Sequence, residues 1–139
     1  HFHADGSLPE GTVNALVNKN YQVLTDYEKA LWEKGELYNS ISVAECKDLN
    51  DYLKKFDLPC RLMQKPEDVE LAFENLVIEL AEQNVMYAEI RFAPQLHSKN
   101  FEWPKQYDHE YQIVEAAING VKKGRRGRRI IPDCQEACV

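Results

Sequence analysis

No stretch of this 139-residue sequence approaches the ~20 consecutive apolar residues that a bilayer-spanning helix needs. Nor does a basic segment lead into an apolar core and a small-residue cleavage site, so no secretory leader is visible. These absences argue against a membrane partner. Cysteine is sparse and scattered (Cys46, Cys60, Cys134 and Cys138), as expected for reduced thiols of a cytoplasmic protein. Cys134 and Cys138 are four apart, but Pro132 lies close by and no histidine follows, which argues against a zinc site there. An initiating Met is missing and the chain opens inside an expected strand, so His1 is read as lying inside a longer native sequence. No internal repeat is present.

Basic residues are few outside one run. Six of them, Lys122, Lys123, Arg125, Arg126, Arg128 and Arg129, stand within eight positions. Elsewhere acidic residues outnumber basic ones about two to one, and the net charge is −6. An acidic body does not suit nucleic acid. The run itself has no interleaved aromatic residue to stack on bases, and it reads as a solvated loop or a segment foreign to the rest. The length predicts one domain, and a hydrophobic content of 44% permits a sizeable core.

What is present begins at the first residue. In His1-Phe2-His3 a strand would point both imidazoles to one face, about 7 Å apart along the strand. That is within reach of one metal ion. Asp5 continues on the same face if residues 1–5 form a strand, and Gly6 supplies a turn. Ser7, Pro9 and Glu10 then read as a helix start with a capping box. Helices are expected over 9–18 and 25–34, the second ended by Gly35. Leu49, Tyr52, Leu53 and Phe56 are spaced i, i+3, i+4, i+7 after Asp48, an amphipathic helix that Pro59 should end. Pro66 should start the longest helix, ending near Asn84. Residues 85–92 read as a strand with Glu89 and Arg91 on one face, 97–108 as a loop, and 110–123 as another helix. His97 and His109 are expected to be solvated and are assigned no role.

Strands separated by helices imply parallel pairing. A buried sheet tolerates paired charges poorly, whereas a closed barrel can carry a polar inner face near its C-terminal mouth. Glu89 and Arg91 are therefore expected to form an ion pair inside such a barrel.

Three segments are similar to one family in its order. His-Phe-His-Ala-Asp-Gly-Ser-Leu at the start resembles the first strand of adenosine deaminases. Leu49 to Asp57 resembles the helix beside their active-site entrance, and Tyr87 to His97 resembles their second strand. The resemblance implies an α/β fold: a partial (β/α)8 TIM barrel of the first two to three β/α units, with extra helices between strands 1 and 2. It implies a zinc ion held by His1 and His3, a purine nucleoside as small-molecule substrate, and hydrolytic loss of ammonia from adenosine or deoxyadenosine to give an inosine. Asp5 and Gly6 would match the ribose contact. Leu49, Tyr52, Leu53 and Phe56 would match the apolar face over the purine. The family's third histidine ligand, glutamate acid, second catalytic histidine and metal-binding aspartate have no counterpart here, so no catalytic residue is assigned within this chain.

A barrel of this kind takes roughly 250 residues. The 139 residues are therefore read as an N-terminal fragment, with 1–123 barrel-like and 124–139 an atypical basic tail. A frameshift or mistaken splice near Gly124 would produce such a break. Open strand edges predict that the chain is marginally stable and catalytically silent alone. The competing readings are a related adenine or AMP deaminase, another metal-dependent hydrolase on the same barrel, and a non-catalytic binding module using residues 122–129.

Overall fold

The structure, a computed structural model, describes residues 1–42, 44 and 46–126. Among these residues the only sheet is a parallel pair, β1 (Phe2–His3) and β2 (Ile90–Arg91), with Phe2 opposite Ile90 and His3 opposite Arg91. Among the described residues six α-helices lie between the strands. They are α1 (Glu10–Lys19), α2 (Asp26–Glu33), α3 (Leu37–Ser40), α4 (Leu49–Lys54) and α5 (Asp57–Leu62), followed by α6 (Pro66–Glu82), which leads into β2. A last helix, α7 (Lys105–Arg126), follows β2. Parallel strands joined through helices make this a partial (β/α) barrel with extra helices between strands 1 and 2.

Local chemistry accounts for the boundaries. Thr25 caps α2 with its side chain accepting from Glu28 N–H, and Glu28 answers by accepting from Thr25 N–H, a closed capping box. Gly35, two residues past α2, has φ 72°, a conformation in which a Cβ would be strained. Asp48 caps α4 by accepting from Asp51 N–H at 2.9 Å.

Several expected elements differ. The first strand is two residues long, because Ala4–Gly6 wind into a 3-10 turn closed by Ser7 N–H donating to Ala4 O at 3.1 Å. The capping box at Ser7 and Glu10 does not form: extended Pro9 precedes α1, and its carbonyl accepts from Thr12 and Val13, each at 3.0 Å. Pro59 does not end a helix but sits in the first turn of α5, where a missing N–H leaves no bond unmade. Of residues 85–92 only Ile90 and Arg91 are ladder-paired, since β1 offers just two extended residues to pair with. Among the described residues the longest helix is α7, 22 residues against 17 for α6. It starts inside the expected 97–108 loop and runs through Gly124. The basic run is thus helical as far as Arg126, with Lys123 paired to Glu70, and its remainder lies outside the described residues.

The core lies where α6 packs against α1 and α7. Phe73, Leu76 and Val69 from α6 meet Val13, Leu16 and Val17 from α1 and Ile113 and Ala117 from α7, all buried. Asp68 is fully buried at the start of α6 and is satisfied by Lys19 Nζ at 2.5 Å and Asn20 Nδ2 at 2.9 Å. No helix among the described residues is long and apolar enough to cross a membrane.

Arg61 on α5 holds α2 in place. Its guanidinium donates to Glu28 Oε1 at 2.5 Å and to Val23 O at 2.6 Å. Burial pushes the Glu28 carboxyl up, but hydrogen bonds from Arg61 and Thr25 and the Arg61 charge outweigh it, leaving the group below its ordinary 4.5. A carboxyl lowered in the folded state stabilises the fold above its unfolded range, and that contribution is lost as pH falls through the lowered value. Glu28→Gln is therefore expected to lower the melting temperature near neutral pH and to make it fall less steeply with acidification. Parallel pH profiles for parent and variant would contradict this.

Candidate active site

The site is built where β1 and β2 end. His1 and His3 are both exposed, and their rings lie edge to face with centroids 5.9 Å apart. The two imidazoles, one just before β1 and one within it, thus stand close together. Such a donor pair suits a borderline metal such as zinc and would supply half of a four-coordinate shell.

Asp5 follows on the 3-10 turn rather than on the strand. That turn carries it inward, to 6% exposure. Its Oδ1 lies 2.9 Å from His97 Nε2, off the line of a good hydrogen bond, and neither atom has another hydrogen-bonding partner. His97 is 1% exposed, and its Nδ1 is 3.0 Å from the Met63 carbonyl oxygen. The expectation that His97 and His109 are solvated is overturned. The 3-10 turn Pro94–His97 after β2 folds His97 under the sheet end. His109, on the inner face of α7, pairs through Nδ1 with Ser98 Oγ at 2.8 Å and stacks on Phe101 at 4.1 Å. Burial holds its pKa below the ordinary 6.5.

Cys60, from α5, completes a buried cluster. Asp5, Cys60 and His97 bring ligand-type atoms within 4.8 Å of one another, a spacing that one cation could bridge. The thiol, however, is pushed up to about 12, by burial first and then by the Asp5 charge, so it stays protonated near neutral pH. Cys60 is accordingly expected to resist iodoacetamide at pH 8 in the native fold and to react once the chain is unfolded in denaturant, as read by peptide mapping. Native labelling of Cys60 as fast as the half-buried Cys46 would contradict its placement.

The segment matched to the substrate helix divides. Phe56 lies directly against Gly6: a Cβ built on Gly6 would sit 2.6 Å from Phe56 Cε1 and 2.9 Å from Cζ. A hydrogen at position 6 is what lets the ring come this close. Beside them a cavity of about 180 Å³ is lined by Asp5, Gly6, Tyr38, Lys55 and Phe56, among others. The structure thus brings together Asp5, Gly6 and Phe56. Tyr52 touches this group only through its ring, which meets Phe56 edge-on at 5.1 Å. Leu49 (68% exposed) and Leu53 (53%) face outward and do not line that cavity. Glu89 and Arg91 do pair, at 3.6 Å, but both side chains are exposed rather than enclosed, because the described sheet has only two strands.

The sequence profile of the adenosine deaminase family matches residues 1–132. An adenosine deaminase of Clostridium perfringens (strain SM101) is 37% identical over 123 residues, which is 88% of this chain and 34% of that protein. One of Clostridium botulinum (strain Langeland) is 36% identical over 128 residues, 91% of this chain and 35% of that protein. The chain therefore spans about a third of the length of the curated relatives it matches. A profile match over nearly all of the sequence, on two parallel strands whose ends carry the His pair and the Asp5–Gly6 turn, places this chain in the adenosine deaminase family.

Proposed function

We propose that this chain provides part of the active site of a zinc-dependent deaminase that converts adenosine and deoxyadenosine to inosines in cytoplasmic purine salvage. The observation that carries the reading is one short segment that sets two exposed imidazoles, His1 and His3, with ring centroids 5.9 Å apart and, two residues on, gives Asp5 and Gly6 to a cavity also lined by Phe56. Zinc, when bound, supplies a water whose pKa is lowered to near neutrality. His1 and His3 would hold the ion as neutral imidazoles. Asp5 would accept a hydrogen bond from a ribose hydroxyl, with Gly6 keeping the backbone low enough for a sugar to approach. The Phe56 ring, buttressed by Tyr52, would lie against the purine. Two metal ligands and a substrate wall do not make a complete site, so the chain is inert alone.

The test has two arms. Purified chain with zinc should leave adenosine absorbance unchanged. Residues 1–123, grafted in place of the matching segment of the Clostridium perfringens relative, should give a folded protein that deaminates adenosine. Turnover by the chain alone, or a folded and zinc-loaded graft that turns over AMP or adenine but not adenosine, would overturn the reading.

A further inference from the structure

A second charged side chain faces the cavity beside the Asp5 turn. Three stretches of chain meet there: Asp5 and Gly6 after β1, Tyr38 from α3, and Lys55 with Phe56 where α4 gives way to α5. At about 180 Å³ the cavity is smaller than the ~300–1,000 Å³ of sites that enclose a whole small molecule, so it takes one part of a ligand. Among the described residues, Asp5 and Lys55 are the two charged side chains of its lining.

A surface lysine normally runs its stem along the protein and leaves its ammonium in water. Lys55 is half-buried instead, and its Nζ donates to the Ser40 carbonyl oxygen at the end of α3, at 2.8 Å. An ammonium has three hydrogens, and this bond uses one. Among the described residues no ion pair joins Lys55 to Asp5. The cavity therefore offers a donor and an acceptor that do not satisfy each other. A hydroxylated ring answers both, because each hydroxyl can donate and accept.

We propose that Lys55 is a substrate-binding residue that donates to a sugar oxygen, so that this cavity takes the pentose of a nucleoside and not its base. The assignment rests on the nucleoside reading above, which sets a ribose hydroxyl against Asp5. It also gives Lys55 a part in specificity. A site built to hydrogen-bond one group of a substrate rejects the analogue that lacks it, because its own polar groups are then left unpaired. A free purine base gains nothing from Lys55.

The full 139-residue chain, with its lysines ¹³C-labelled at Cε, would be titrated by NMR with adenosine, adenine and methyl β-ribofuranoside. In the parent, adenosine and the riboside should move the Lys55 resonance and adenine should not. Lys55→Met keeps the apolar stem without donors. It should weaken adenosine and the riboside about tenfold and leave adenine unchanged, and Lys55→Arg should recover most of the loss. A lysine that merely tied α4 to α3 would weaken all three probes together or none of them, and either result overturns the proposal. So does movement of Lys55 by adenine. Should Lys55→Met fail to fold, the parent titrations and Lys55→Arg decide. Binding of adenosine and adenine with Lys55 unmoved overturns this inference and leaves the nucleoside reading standing. Movement of Lys55 by the riboside but not by adenosine supports the sugar contact and counts against the nucleoside reading. Silence from all three probes overturns both.

Discussion

Gly120→Ala should destabilise the chain by about 2 kcal/mol or more, against the direction of helix propensity. In an exposed helix interior the same change is worth up to about 1 kcal/mol in alanine's favour. Here a Cβ at position 120 would stand 2.3 Å from the Glu70 carbonyl oxygen, 2.9 Å from Phe73 Cβ and 3.0 Å from Glu74 N. Two of these atoms are backbone of α6 and the third is a Cβ, so none can rotate away. One turn on, a Cβ at Gly124 would meet the Glu74 carbonyl oxygen at 2.7 Å and Val77 Cβ at 2.8 Å. The two glycines, four residues apart, let α7 lie directly on α6, and adding a methyl must push the helices apart. Overpacking of this kind costs about 1–3 kcal/mol, occasionally more. Denaturant melts of Gly120→Ala and Gly124→Ala check it. Gly11→Ala, on α1 with nothing within 4 Å of the added carbon, serves as the control and should be neutral or stabilising. A Gly120→Ala chain as stable as the parent would mean that α6 and α7 do not touch as described.

The second large effect concerns turnover. In the grafted enzyme, His3→Ala should reduce adenosine deamination by about a thousandfold or more. A metal's charge stabilisation and water activation are worth several kcal/mol, and each 1.36 kcal/mol is a factor of ten in rate. His3 sits at the end of β1 opposite Arg91, on the only segment that joins the strand to the Asp5 turn. The alanine variant should fold like its parent, because His3 is exposed. Loss of activity would then accompany loss of zinc, measured on the same sample by metal analysis. Retained zinc and turnover would remove His3 from the metal site.

How far the sequence reveals this arrangement depends on how local the cause is. The His1–His3 pairing follows from strand alternation alone and needs only two residues of extended chain. Helices α1, α2, α6 and α7 follow from apolar periodicity and from local signals such as Thr25 with Glu28, or Pro66. Asp5 was harder. Its burial arises from a 3-10 turn that strand alternation does not anticipate, and its partner His97 is 92 positions away. Nothing beside His97 in the sequence marks it as buried, apart from the Pro94 that starts its turn. Gly120 and Gly124 are illegible for the same reason: within α7 they are merely weak helix formers, and only the approach of α6 explains them. The segment resembling the substrate wall reads in the sequence as one helix, whereas the structure has two. Its division at Lys55 and Phe56 turns Phe56 inward while Leu49 and Leu53 remain on the outer face.

The most direct measurement is X-ray absorption at the zinc edge of the chain loaded with one equivalent of zinc. The spectrum should show imidazole nitrogen at about 2.0–2.1 Å, and that signal should vanish in a His1→Ala, His3→Ala double variant that no longer retains the metal. A sulfur shell at about 2.3 Å, or undiminished zinc in the double variant, would place the ion at Cys60, His97 and Asp5 instead and contradict the account.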